Sequence, residues 1–188
     1  VYTISEYAAK FENNGVVDPL PLMKAGKVQM SQLTVGQLGK WQATDFYALD
    51  LPFLFDSHEH CTRVLEGNLG ESLLADLEKH TPVRGLAFTY SGGYRVVPAN
   101  FEAHTVESWS GKRVRTSRSP VAVDTFRALG AEPLEHIALE EMNAAADQGV
   151  IQAGESTYVR VFPLNQHESF EVINDTAHSL FLTSIIVN

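Results

Sequence analysis

Helix-like and strand-like segments alternate along this chain in two blocks, and the blocks meet twice, near residues 89–95 and again near residue 180. That alternation predicts an α/β architecture, and the double crossing predicts two lobes with a cleft between them. In the first block, residues 3–12 and 18–25 read as short helices, the second ending at Gly26. Lys27 to Leu33 reads as a strand, and Leu51-Pro52-Phe53-Leu54-Phe55 is a short apolar run after an irregular segment. The clearest helix spans roughly 57–79. Ser57 can cap its first turn, and Cys61, Val64, Leu65, Leu69, Leu73 and Leu77 recur at helical spacing. Strands are expected over Val83–Thr89 and Tyr94–Val97. The Ser91-Gly92-Gly93 turn between them lets backbone come close to a neighbour or a ligand.

The second block begins at Gly111. Arg113 to Thr116 reads as a strand, and Ser119-Pro120 opens a helix that stops at Gly130. Serine at the cap, proline at the first helical position and glycine just past the end make a consistent set of boundaries. Leu134 to Ile137 reads as a strand, Leu139 to Gln148 as a helix ended by Gly149, and Val150-Ile151 as a short extended piece. Residues 180–187, Leu-Phe-Leu-Thr-Ser-Ile-Ile-Val, have the composition of a buried strand. The expected division is lobe one over 1–92, lobe two over 93–180, and a return strand to lobe one over 181–188.

A length of 188 residues suits one large domain or two small lobes, and 44% hydrophobic with 20% charged residues can bury an ordinary core. No apolar run reaches 18 residues, so no membrane insertion is expected. Val1-Tyr2-Thr3-Ile4 lacks the basic-then-apolar pattern of a signal peptide, as a processed export product also would. The single cysteine, Cys61, excludes an internal disulfide. A net charge of −9 argues against nucleic acid or an anionic membrane as partner. Yet Lys112, Arg113, Arg115 and Arg118 crowd into a stretch poor in acidic residues. That cluster is either a solvated basic loop or the mark of a small anionic ligand.

Arg115 falls inside an expected strand, where a permanent charge is costly unless an anion meets it. Its planar guanidinium can hold a carboxylate through two parallel hydrogen bonds. The carboxylate is either a ligand's or the protein's own, with Glu141 and Glu155 as candidates. His58-Glu59-His60-Cys61 does not make a metal site: histidines at i and i+2 on a helix diverge, and Cys61 belongs to the apolar face. The remaining histidines show no ligand spacing. Gly-x-Ser-x-Gly is absent, and Ser91-Gly92-Gly93 is too short for a phosphate loop. Glu140-Glu141 suits the dipole of a helix start. No catalytic residue, metal or cofactor is expected.

Several fragments, in order, resemble one family. Gly26-Lys27-Val28-Gln29-Met30, Leu51-Pro52-Phe53-Leu54-Phe55 and Gly93-Tyr94-Arg95 are followed by Trp109-Ser110-Gly111-Lys112-Arg113-Val114-Arg115 and Leu129-Gly130-Ala131-Glu132-Pro133. Glu141 to Glu155, around Gly149-Val150-Ile151, and Thr176-Ala177-His178 complete the set. Together they resemble the DctP-like periplasmic solute receptors of TRAP (tripartite ATP-independent periplasmic) transporters. The resemblance implies a two-lobed, type II periplasmic-binding-protein-like architecture with a hinge and an inter-lobe cleft. It implies periplasmic capture of a small organic carboxylate, with the transporter's membrane subunits as partners. The family's strand arginine, which pairs with the ligand carboxylate, matches Arg115, and a second contacting arginine matches Arg95. Tyr90, Tyr94 and Glu155 are the next candidates for the cleft wall, followed by Ser156 and Gln152.

Three departures bear on the substrate. Ile151-Gln152-Ala153-Gly154-Glu155 stands where the family usually has Val-Asp-Gly before its glutamate, and Ser156 stands where many members carry an aromatic or amide residue. The Glu140-Glu141 region also holds one extra residue. The family is longer at both ends, so the chain is expected to be a portion of such a receptor. The alternatives are an α/β enzyme acting on a small carboxylic acid, with Arg115 as binder and a glutamate as base, or a ligand-sensing module of the same fold.

Overall fold

Leu180–Val187 is apolar on both faces, so it needs cover above, below and at both edges. In a computed structural model of the chain, which describes residues 18–188, this segment is a strand buried along almost its whole length. The helix expected over 3–12 lies outside the described residues. Leu20–Lys24 (α1) ends at Gly26, in the left-handed conformation at φ 67°, and leads to the strand Met30–Thr34 (β1). β1 runs antiparallel to Leu180–Val187 from Met30↔Val187 to Thr34↔Thr183. On the other edge of Leu180–Val187 lies Arg84–Ala99 (β2), also antiparallel.

β2 organises the rest. Its first part pairs with Leu180–Val187, and its last residues pair with Ala153–Gly154 (β5), Ser156–Thr157 (β6) and Val172–Asn174 (β7). The two strands expected at 83–89 and 94–97 are therefore one strand. The intervening glycines do not turn the chain back; they form an irregularity between Tyr90 and Tyr94, with Gly92 at φ 101° and Gly93 at φ 80°. Counting Leu180–Val187 as β8, the sheet runs β1-β8-β2-β5-β3-β4, where β3 is Arg113–Arg115 and β4 is Glu132–Leu134. β3 lies parallel to both of its neighbours. The helix Pro120–Ala128 (α5) connects β3 to β4, so this unit is a small βαβ crossover.

Apolar side chains gather on either side of the Tyr90–Tyr94 irregularity. One core contains Leu38, Phe46, Leu77, Leu182 and Ile186; another contains Val97, Trp109, Val114, Phe126 and Ala153. A smaller third cluster joins Ile137, Met142, Ile151 and Phe170.

Local sequence reading misses in identifiable ways. The helix over 57–79 is two helices, His58–Leu65 (α3) and Asn68–His80 (α4), either side of Glu66-Gly67. Ser57 does cap the first, accepting from the His60 N–H at 3.0 Å. The break takes Leu69 out of the apolar stripe and leaves it 56% exposed. The strand expected over 134–137 sits two residues earlier, because Glu132 N–H donates to Lys112 C=O and sets the parallel register there. The helix over 139–148 begins as a 3₁₀ turn, Leu139–Glu141, before Met142–Asp147 (α6). β5, β6 and β7 have two or three residues each, too few to show a periodicity.

The tight α3–α4 junction depends on Gly70. A Cβ there would lie 1.8 Å from the carbonyl oxygen of Leu65, a backbone atom that cannot step aside alone. Gly70→Ala is expected to destabilise the fold by about 1–3 kcal/mol in denaturant unfolding, although alanine is the better helix former.

Candidate ligand-binding cleft

A cleft of about 440 Å³ has side chains from residues 18–50 on one side and from residues 115–160 on the other. From the first side it is lined by Thr34, Gln37, Trp41 and Asp50; from the second by Arg115, Ser119, Glu155, Ser156 and Arg160, with Phe181 at the back. Thr34 and Gln37 are fixed as a capping box on the helix Val35–Gly39 (α2). Gln37 N–H donates to Thr34 Oγ1 at 3.2 Å, and Thr34 N–H donates to Gln37 Oε1 at 3.0 Å. Trp41 Nε1–H donates to Asp18 Oδ1 at 3.1 Å, which sets the indole on the cleft wall.

Arg115 ends β3. Its Nε–H donates to the Ile137 carbonyl at 3.1 Å and one terminal NH₂ to the Glu155 carbonyl at 3.4 Å, so backbone oxygens hold the guanidinium in place. Among the described residues no carboxylate lies within 4 Å of it; Glu141 instead accepts from Ala138 N–H at the start of its own helical turn. Burial works against the charge of Arg115, and Glu155 offsets this only through space.

Arg95 is engaged differently. It sits 3.8 Å from Asp50 and 3.9 Å from Glu155, and its guanidinium carbon lies 4.4 Å from the centroid of the Phe181 ring. The guanidinium of Arg160 lies at the same 4.4 Å from that ring and donates to Ser91 Oγ at 3.3 Å. One aromatic ring thus receives two cations by its π-face attraction.

Glu155 is buried and fully partnered. Oε2 accepts from the Thr116 hydroxyl and from Ser117 N–H at 2.8 Å; Oε1 accepts from His178 Nε2 at 3.1 Å. Nε2 must be the donor, since a carboxylate only accepts, and in the neutral ring Nδ1 then takes the Thr176 hydroxyl at 2.7 Å. Burial would raise the carboxyl, but Arg95, His178 and Thr116 outweigh it and hold Glu155 well below the usual carboxylate range. Asp50 goes the other way: burial raises it, and Arg95 opposes only in part.

Five cationic side chains, Lys40, Arg95, Arg115, Arg118 and Arg160, line this cleft against the carboxylates of Asp18, Asp50 and Glu155, so the cavity favours anions inside an acidic protein. Of the residues singled out in the sequence, Arg115, Arg95, Glu155 and Ser156 are brought together here. Tyr94, Tyr90 and Gln152 are not. Tyr94 packs on the first core and donates to the Phe55 carbonyl at 3.2 Å. Tyr90 meets Thr62 Oγ1 at 2.7 Å and lines a second hollow with Leu74 and Leu86. Gln152 accepts from Arg113 N–H at 3.0 Å, away from the cavity.

Sequence reading missed Asp50, Ser119, Arg160 and Phe181. Arg160 carried the same sign as Arg115, a charge inside the apolar run Tyr158–Phe162. Ser119 is the N-cap of α5, as its position before Pro120 predicts, but its hydroxyl makes no capping bond.

Residues 15–188 match the family model described as bacterial extracellular solute-binding protein, family 7 (DctP). The chain is 28% identical over 201 residues to the C4-dicarboxylate-binding periplasmic protein DctP of Rhodobacter capsulatus, a match covering 96% of this chain and 60% of that protein. Among solved structures it resembles a TRAP periplasmic solute-binding protein from Pseudomonas aeruginosa with bound L-malate, at a TM-score of 0.83 and 26% identity, covering 91% of this chain and 58% of that one. It also resembles one from Xanthobacter autotrophicus with bound β-D-galacturonate, at a TM-score of 0.81 and 25% identity, covering 91% and 56%. The chain therefore spans less than two thirds of the length of these relatives.

The buried carboxylate generates a prediction. Glu155→Gln removes one of the two carboxylates beside Arg95 and the acceptor of Thr116, Ser117 and His178, and should lower stability at neutral pH by about 3–5 kcal/mol in denaturant unfolding. A carboxyl lowered in the folded state stabilises above its unfolded value, and that contribution is lost as pH falls through the folded one. The gap between wild type and Glu155→Gln should therefore be full above the ordinary glutamate value of 4.5 and shrink steadily below it.

Proposed function

The chain belongs to the bacterial extracellular solute-binding protein family 7 (DctP), and on that premise we propose that it captures a small organic carboxylate outside the cytoplasm for delivery to the membrane subunits of a TRAP transporter. The observation that carries this reading is Arg115: a half-buried guanidinium, held by two backbone carbonyls, facing a cavity, with no protein carboxylate within 4 Å among the described residues. Such a group is costly to leave unpaired and is shaped to receive a carboxylate on its two remaining N–H directions. The relatives named above bind C4-dicarboxylate, L-malate and galacturonate, all carboxylates. No described helix is long and apolar enough to cross a membrane.

In this reading the lobes are residues 1–92 and 93–180, with 181–188 returning to the first. The two crossings lie side by side, since Tyr94 pairs with Leu180 and Arg95 N–H donates to the Ser179 carbonyl at 2.8 Å. Gly92, Gly93 and Ala177 are all left-handed there, so both connections change direction at one level, which suits a hinge. Closure about it would exclude water and strengthen the pairing of Arg115 with its ligand.

An enzymatic reading with a glutamate as base has less support. A general base working near neutrality needs a pKa near the operating pH, and Glu155, the glutamate in this cleft, is held far below it by Arg95, His178 and Thr116.

Thermal unfolding against a panel of small carboxylates tests the proposal, because a ligand that binds only the folded state raises the melting temperature once its concentration exceeds Kd. One acid class should produce a shift. Arg115→Ala should weaken its binding by roughly 30-fold to several thousand-fold. A folded full-length protein that responds to no carboxylate would remove the capture reading.

A further inference from the structure

Unpaired buried polar atoms are rare in folded proteins, and where they gather they ask for an explanation. Among the described residues, seven buried side-chain N or O atoms have no hydrogen-bond partner in the protein, and four of them belong to the cleft: Asp50 Oδ1, Ser117 Oγ, Ser119 Oγ and Ser156 Oγ. Asp50, Ser119 and Ser156 are only 5%, 2% and 3% exposed. These groups are also drawn from both sides of the cavity, Asp50 from the end of the 3₁₀ turn Thr44–Asp50, Ser119 from the start of α5 and Ser156 from β6.

Their chemistry is specific. Ionised, Asp50 offers only acceptors at Oδ1; protonated, the form its burial favours, it can also donate, and a hydroxyl serves either form. The serine hydroxyls can each give or take a hydrogen bond. A carboxylate ligand with a bare hydrocarbon chain would leave Ser117 and Ser156 unpaired and give Asp50 and Ser119 little beyond each other, which costs more than the lost bonds alone. A second carboxylate against an ionised Asp50 would be repelled. An ammonium would satisfy Asp50, but Arg95 lies 3.8 Å from the same oxygen, and the cavity already holds five cations. A hydroxyl fits every one of these constraints.

We propose that the cleft selects hydroxylated carboxylates, hydroxy acids or sugar acids, over their deoxy and amino counterparts, with Asp50, Ser119 and Ser156 reading the hydroxyls while Arg115 holds the carboxylate. The inference rests on the capture reading and narrows it. It gives a role to Ser119, whose hydroxyl makes no capping bond, and to Ser156, which accounts for one of the chain's departures from its family.

The test is titration calorimetry on the full-length protein with acids matched in chain length: L-malate, succinate and L-aspartate; D-galactarate and adipate; D-gluconate and hexanoate. In whichever set binds, the hydroxylated acid should be at least about tenfold tighter than its deoxy partner, and L-aspartate weaker than L-malate. Ser119→Ala and Ser156→Ala, each checked for a wild-type circular dichroism spectrum, should narrow that ratio. A deoxy or amino acid binding as tightly as its hydroxylated partner would overturn the selectivity and leave capture standing. A ratio unchanged in both serine variants would overturn their assignment. Silence from every acid would remove the capture reading, and this inference with it.

Discussion

Four segments far apart in sequence are tied together by a single carboxylate. Glu155 takes hydrogen bonds from Thr116 and Ser117 after β3 and from His178 before β8, and it faces Arg95 on β2. Without it, Arg95 would be a buried cation shared only with Asp50, and the backbone that presents Arg115 would lose its anchor, since the Glu155 carbonyl also receives that guanidinium. Side chain and main chain of one residue therefore serve two different arginines. The first lies between two carboxylates at 3.8 and 3.9 Å, and the second is held by backbone carbonyls and faces the cavity. A cluster of this kind is costly to assemble in low dielectric, so its members stand or fall together.

The cleft also shows why net charge is a poor guide to a binding site. The chain carries −9 overall, yet cations outnumber carboxylates around the cavity. Mobile salt screens exposed charges beyond roughly 8 Å at physiological ionic strength, so distant surface acids contribute little at the cavity floor. What matters there is the handful of groups in contact, and Phe181 lets two guanidinium groups share that space by meeting the same ring.

How much of this was legible in the sequence depends on the range of the interaction responsible. Leu180–Val187 announces itself, because eight residues of apolar and β-favouring character leave few other options. Pro120–Ala128 does too, through the proline at its start and the glycine after its end. Arg115 stood out as a charge in a strand. In contrast, β5, β6 and β7 exist only because β2 offers them an edge, and two or three residues cannot display a period. The α3–α4 break was hidden because Val64, Leu65 and Leu69 keep helical spacing on paper while Gly67 interrupts the backbone. Tyr94 and Tyr90, candidates for the cleft wall after the family resemblance, face the first core and a second hollow instead. A strand sends alternate side chains to opposite faces, and the irregularity between them shifts that alternation. Ser119 stands at the helix N-cap as its local pattern predicts, but its hydroxyl makes no capping bond, which that pattern does not show.

Gly36 gives the two halves their spacing. A Cβ on it would stand 3.0 Å from Ser119 Cβ and 3.0 Å from Asp50 Oδ2, tighter than such atoms ordinarily approach. The first core meets the second here through the absence of one methyl group. If the protein opens and shuts, that methyl would act as a wedge, shifting the fraction of molecules that rest shut before any ligand arrives. Apparent affinity in a two-state clamp is the intrinsic affinity scaled by that fraction. On the capture reading, the carbon missing at Gly36 would set how much solute half-fills the protein, and because a Cβ there would press on Asp50 and Ser119 it would reshape the cleft wall at the same time.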